Sequence, residues 1–309
     1  MPDKKPVDYR LAALWRFATA ISVFNLLGHT LFGFEQPWAT PFVALAASYG
    51  TEILLEWADA WAHGRRPRFL GSARTFVEFL LPAHITGLAV GMLLYSNASL
   101  MPAAFAACAG IASKNVFRVA IGGRTRHFFN PSNFGITATL LLIPSVGLAP
   151  PYQFTENVTG MANWIIPAVI LVSGIFMHAK FTGRLPLVAA WLVGFAMQGL
   201  IRAEIFGIPW RVPFVPMTSA AFILFTLYMI PDPATTPIAP RRQVLFGLAI
   251  AAVYGLLFVF HVVFGLFIAL AVVSASRGIG LHLNAIMKMR KAESAASART
   301  AFTAAGLAR

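Results

Sequence analysis

Ten apolar stretches, parted by short polar junctions, constrain this chain more than any single motif. They run from Ala12 to Gly33, Trp38 to Ala60, Phe76 to Tyr95, Leu100 to Phe117, Asn133 to Val146, Met161 to Met177, Leu185 to Ile201, Pro213 to Ile230, Gln243 to Val262 and Phe264 to Ser276. With 58% hydrophobic and 11% charged residues, the chain lacks the polar surface that a water-soluble domain needs. A helix crossing about 30 Å of hydrocarbon takes about 20 apolar residues. The sequence therefore predicts an all-α polytopic membrane protein of about ten transmembrane helices.

The junctions carry charge unevenly. Of the 24 lysines and arginines, all but Arg202 and Arg211 fall at the N-terminus, in every second junction, or after Ser276. The positive-inside rule then places both termini in the cytoplasm, as expected for the inner membrane of a bacterium. The net charge of +13 reads as topology and attraction to anionic lipid, so the bilayer is the expected partner and nucleic acid is not. A single cysteine, Cys108, excludes an intramolecular disulfide and a Cys-ligated metal centre. No histidine or carboxylate spacing suggests a metal site. The expected organisation is one membrane domain over residues 1–281, with halves near 11–150 and 155–281, and a basic cytoplasmic tail over 282–309.

The third and eighth spans resemble each other. LPAHITGLAVGMLLY and VPMTSAAFILFTLY both place a proline shortly before a threonine, then small residues, then an aliphatic run closing on Leu-Tyr. Under the ten-span count they run in opposite directions, which suggests a five-plus-five inverted repeat. Proline removes a backbone hydrogen bond, and a freed carbonyl survives in a membrane only where protein, water or ligand meets it. Broken helices at matching positions point to a central site, and His84, Thr86, Thr218 and Ser219 are its candidates. Ordinary proline kinks are the alternative.

Two junctions hold further polar groups. In HFFNPSNFG, Asn130 is a strong N-cap and Pro131 suits the first helical position, so a helix start faces the basic side. Its free N–H groups, with Lys114, Arg118, His127 and Asn133 nearby in sequence, could hold a phosphate or a carbonyl oxygen. Gly122-Gly123 permits a turn before it. MIPDPATTPIAPRRQVLFG places Asp232, Thr235 and Thr236 at a comparable junction.

This pair of motifs resembles the RnfD/NqrB superfamily, ten-span flavin-carrying subunits of ion-pumping electron-transport complexes. The matching residues are Phe129 to Ser132, then Asp232, Pro233, Thr235, Thr236, Arg242, Phe246 and Gly247, with Thr86-Gly87 as a third point. PYQFTENVTG and KFTGRLPL are similar to the stand-alone UnbU-like members found near enediyne biosynthesis genes. The resemblance implies flavin- or quinone-linked electron transfer, possible coupling to cation movement, and a redox partner or larger membrane complex. It implies non-covalent FMN or riboflavin, or a quinone. Covalent FMN is not expected, because Thr155 and Thr159 in the outer loop do not fit the family's Ser-Gly-Ala-Thr attachment sequence. Two other readings stay open: a small-metabolite or ion transporter on the same frame, and a non-catalytic subunit.

Glu52, Glu56, Asp59 and His63 fall on one narrow face of the second span at 100° per residue. Carboxylates in hydrocarbon are costly unless paired or hydrated. This face therefore reads as a proton or cation path, or as ion pairs with Arg65, Arg66 or Arg74. Glu78 sits at pairing distance from Arg74, and Arg202, Glu204 and Arg211 share an outer loop where a local ion pair is expected.

Overall fold

The computed structural model describes residues 9–97, 99–121, 124–150 and 154–307. Lys4, Lys5, the Gly122-Gly123 turn, residues 151–153 of the outer loop and Arg309 lie outside the described residues. Helices cover all ten apolar stretches. In chain order they are α1 (Tyr9–Leu27), α2 (Ala39–Ala62), α3 (Ala73–Leu93), α4 (Met101–Val116), α5 (Pro131–Leu142), α6 (Ala162–Met177), α7 (Leu185–Phe206), α8 (Ala220–Leu224), α9 (Pro240–Val259) and α10 (Gly265–Leu307).

Local chemistry sets many of the ends. Ser72 caps α3 by accepting from the Thr75 N–H at 3.2 Å, and Asn130 caps α5 by accepting from the Asn133 N–H at 3.1 Å. Prolines open α4, α5, α7 and α9, where their missing N–H would have no intrahelical partner anyway. α1 and α6 each widen into a five-residue π-helix, Gly28–Phe32 and His178–Thr182, closed by the left-handed residues Gly33 and Gly183. Two short antiparallel pairs complete the fold. They are β1 (Leu94–Tyr95) with β4 (Gly147–Leu148), and the hairpin of β2 (Arg118–Ile121) with β3 (Arg124–His127).

Among the described residues six helices have the length and composition to cross a membrane, and a bent pair, taken as one span, makes a seventh. This is a helical membrane protein. The other expected spans fall short for visible reasons: α2 carries three carboxylates, and α4 and α5 have only 16 and 12 residues.

Packing is closest where glycine removes a side chain. A Cβ on Gly135 of α5 would lie 2.0 Å from the Ala106 carbonyl of α4, and one on Gly247 of α9 would lie 2.7 Å from the Leu187 carbonyl of α7. Trp191, Phe195, Phe222 and Tyr254 stack at the centre of the larger core, which α5, α7, α8, α9 and α10 share.

The matched breaks are not matched. α3 continues through Pro82 as one helix from Ala73 to Leu93. Its neighbour α2 holds it closely, since a Cβ on Gly87 would meet Ser48 Oγ at 2.6 Å and the Ala44 carbonyl at 2.9 Å. The eighth span does break: a 3₁₀ turn over Val212–Thr218 meets α8 at 74°, and the π-helix Phe225–Met229 follows. Residues 282–307 fall in the expected tail. They continue α10 as one 43-residue helix, far longer than a bilayer is thick at about 1.5 Å per residue.

Candidate functional site

A cavity of about 1450 Å³ lies among α1, α2, α3, α6 and the broken eighth span. It follows α3 from Thr75 to Leu93 and α1 from Leu11 to Phe24, with α6 and the π-helix Phe225–Met229 on the opposite side. Eighteen residues of helix correspond to about 27 Å, so the cavity runs most of the way along these helices. Its chemistry changes along that path. One end is apolar, lined by Ile21, Phe24, Ala89, Met92, Leu93 and Ile170; the other is polar, lined by Glu52, Glu56, Asp59, Lys114, Arg118 and Asp232. The polar end reaches the surface at Arg68, whose side chain is 66% exposed.

The acidic face of α2 lines that polar end, and its carboxylates are paired. Lys114 Nζ donates to Glu52 Oε2 at 2.5 Å, with both side chains largely buried. Glu56 is buried and receives Arg65 at 2.6 Å, Arg68 Nε at 2.7 Å and the Arg68 backbone N–H at 2.7 Å. Asp59 takes the second Arg65 nitrogen and approaches His63 Nδ1 at 3.6 Å. Hydrogen bonds first to Glu56 and then to Asp59 raise the Arg65 pKa above its ordinary value. Of the two readings of this face, the geometry supports ion pairing. Arg74 and Glu78 pair at 2.7 Å, as their spacing suggests.

Both motif junctions line the cavity, through Asn130 to Ser132 and through Asp232 to Ala234. Their side chains do something other than wait for a ligand. Asn130 Oδ1 accepts from Ser132 Oγ at 2.9 Å and from the Asn133 N–H, while its Nδ2 donates to the Met229 carbonyl at 3.0 Å. Asn130 is therefore a tie between α5 and the end of the broken span. Asn133 turns into the core, donating to the Phe267 carbonyl at 3.1 Å. Asp232 accepts from the Ala234 N–H and from Thr235 Oγ1, both at 3.0 Å, and Thr236 Oγ1 donates to the Asp232 carbonyl at 2.6 Å. Thr235 and Thr236 are buried and do not line the cavity. Their expected role as ligand donors gives way to holding the loop.

The central candidates separate in the same way. Thr86 lines the cavity, with its hydroxyl donating to the Pro82 carbonyl at 2.9 Å. Thr218 and Ser219 do not line it; their hydroxyls donate to Val215 and Pro216 carbonyls, and Ser219 caps α8. His84 faces away from the cavity, between Ser22 Oγ at 2.7 Å and Tyr49 Oη at 2.5 Å. Ser22 spends its only proton on the Ala18 carbonyl at 2.7 Å, so His84 Nε2 carries the hydrogen toward Ser22 and Nδ1 accepts from Tyr49. His127 lines the cavity beside Arg118.

Sequence reasoning missed several site residues. Phe17, Phe24, Phe79 and Tyr228 supply aromatic walls, but nothing in a chain rich in phenylalanine marks these four. Ser173 of α6 lines the cavity and bonds Tyr228 Oη at 2.7 Å. The expected pairing in the 202–211 loop is also replaced: Arg202 is buried against Gln198 Oε1 at 2.7 Å, with its guanidinium 3.9 Å over the Phe258 ring. Among the described residues no group of three metal-ligating side chains comes together.

Fold and cavity together define a class: a helical membrane protein with an amphipathic cavity among its helices. No protein-family model matches the chain, and no curated protein matches it either.

Proposed function

We propose that the cavity binds an amphipathic redox ligand, a quinone or a non-covalently held flavin, and that the protein is an RnfD/NqrB-like electron-transfer subunit of a bacterial inner membrane. The carrying observation is the gradient along the cavity, from paired charges at one end to aliphatic and aromatic walls at the other. Ring carbonyls need donors, and Arg118 and Lys114 supply cationic N–H groups at the polar end. A planar ring needs flat walls, which Phe17, Phe79 and Tyr228 offer. An isoprenoid tail needs a long apolar path, and the stretch along α3 toward Leu93 offers that, so a quinone suits the whole cavity better than a flavin does. The bound group would carry electrons; the protein orients it and keeps lipid and water from its head.

The family frame has a second support. In the proposed five-plus-five arrangement α1 and α6 would open the two halves, and both end in a π-helix containing histidine and closed by a left-handed glycine. Ten crossings with cytoplasmic termini also put every cavity-lining cation on the cytoplasmic side. Purified protein is expected to retain a quinone, or to bind added riboflavin, FMN or quinone with a measurable midpoint potential. Absence of all of these removes the redox reading.

A transporter is the second reading. It is favoured by the reach of the cavity, from exposed Arg68 to Leu93 near the other end of α3. Substrate flux in proteoliposomes that Thr86→Val reduces would select it.

A further inference from the structure

The Asp232–Thr236 loop has the cavity on one side and a cluster of arginines elsewhere against it. Arg184, just before α7, donates from Nε to Thr236 Oγ1 at 2.9 Å and from Nη2 to the Pro233 carbonyl at 3.2 Å. Arg277 of α10 donates from Nη1 to the Thr235 carbonyl at 2.8 Å. Two more charges act on this pair: Arg126 on both, and Arg242 of α9 on Arg277. None of the four lines the cavity. Thr125 and His127 do line it, and strand alternation turns Arg126 to the opposite face.

The cluster is unbalanced. Among the described residues none of these arginines forms an ion pair within 4 Å. Asp232, the acid that acts on Arg184, spends its carboxylate on its own loop. Burial lowers the Arg184 pKa; Asp232 opposes that shift, and Arg126 adds to it. A buried cation without a counter-ion is costly. Arg184 and Arg242 also sit at the N-terminal ends of α7 and α9, where the helix dipole disfavours cations and favours anions. Cations and exposed helix N–H groups at one place would both be satisfied by one anion.

We propose that Arg126, Arg184, Arg242 and Arg277 bind a phosphate group at the basic end of the bundle. Exposure rises from buried Arg184, through half-buried Arg277 and Arg126, to exposed Arg242, which leaves a way in. A guanidinium has five N–H donors, and Arg184 commits three to protein acceptors and Arg277 one. The rest are available for paired contacts to phosphate oxygens. Basic pockets between membrane helices suit lipid headgroups, and a soluble phosphate would use the same donors.

The test uses the full chain in phosphate-free detergent, with thermal unfolding and native mass spectrometry as readouts. Pyrophosphate probes the soluble source, and short-chain phosphatidylglycerol, with phosphatidylcholine as reference, probes the lipid source. Saturable stabilisation by either probe is expected and tells the sources apart. Arg242→Gln and Arg277→Gln each weaken it about tenfold, while Arg211→Gln, at the other end, leaves it unchanged. Arg242 is exposed, so its variant tests binding without risk to the fold. The proposal is overturned if neither probe binds, or if Arg242→Gln and Arg277→Gln bind as the wild type does.

Discussion

Two cationic clusters flank the basic end of this bundle, and they are built on opposite principles. At the α2 side, Arg65, Arg68 and Lys114 face Glu52, Glu56 and Asp59, and each carboxylate has a cation at hydrogen-bond distance. At the α10 side, among the described residues, Arg126, Arg184, Arg242 and Arg277 form no ion pair within 4 Å, and Asp232, the acid that acts on Arg184, is committed to its loop. The first cluster is complete within the chain. The second leaves positive charge for something else to meet. Their cations alone are similar in kind and number; the pairing separates a structural clamp from a binding surface.

The comparison can be broken by mutation, and the largest effect is expected in the paired cluster. Lys114→Met strands the largely buried Glu52 and should cost about 3 kcal/mol, read as a lower unfolding midpoint in detergent. Lys114→Met with Glu52→Gln should recover more than half of that loss; equal losses in single and double variants would show that the pair does not couple. Glu56→Gln keeps shape but weakens the charge-assisted contacts to Arg65 and Arg68, for a loss of about 2 kcal/mol. The smallest effect belongs to the unpaired cluster. Arg277→Gln in phosphate-free buffer should shift stability by less than about 1 kcal/mol, because the lost bond to Thr235 is offset by relief of like charge. A large loss there would mean that the cluster is structural after all.

How much of this was legible in the sequence depended on the range of the interaction. The helix start at Asn130-Pro131, the shared face of Glu52, Glu56 and Asp59, and the Arg74–Glu78 pair follow from neighbours within one or two turns. The continuity of α3 through Pro82 depends instead on α2 packed against Gly87. No local rule could show that Asn130 spends its amide on Met229, whereas the bonds of Thr235 and Thr236 to Asp232 span only three and four residues and suit a turn built on Asp. Arg202 lies over Phe258 because α7 and α9 pack closely, a contact between distant segments. The cavity itself was only half visible: its polar end came from motifs, and its apolar wall from helices that meet only in the fold.

The most direct test of the cavity as the ligand site compares two adjacent positions of α6. Ser173 lines the cavity, whereas Val172 is 67% exposed and does not. Binding of a quinone or riboflavin, measured by equilibrium titration, should fall at least about tenfold in Ser173→Trp, where an indole fills the space. Val172→Trp should bind as the wild type does. Equal binding by all three proteins, or no binding by the wild type, would contradict the account.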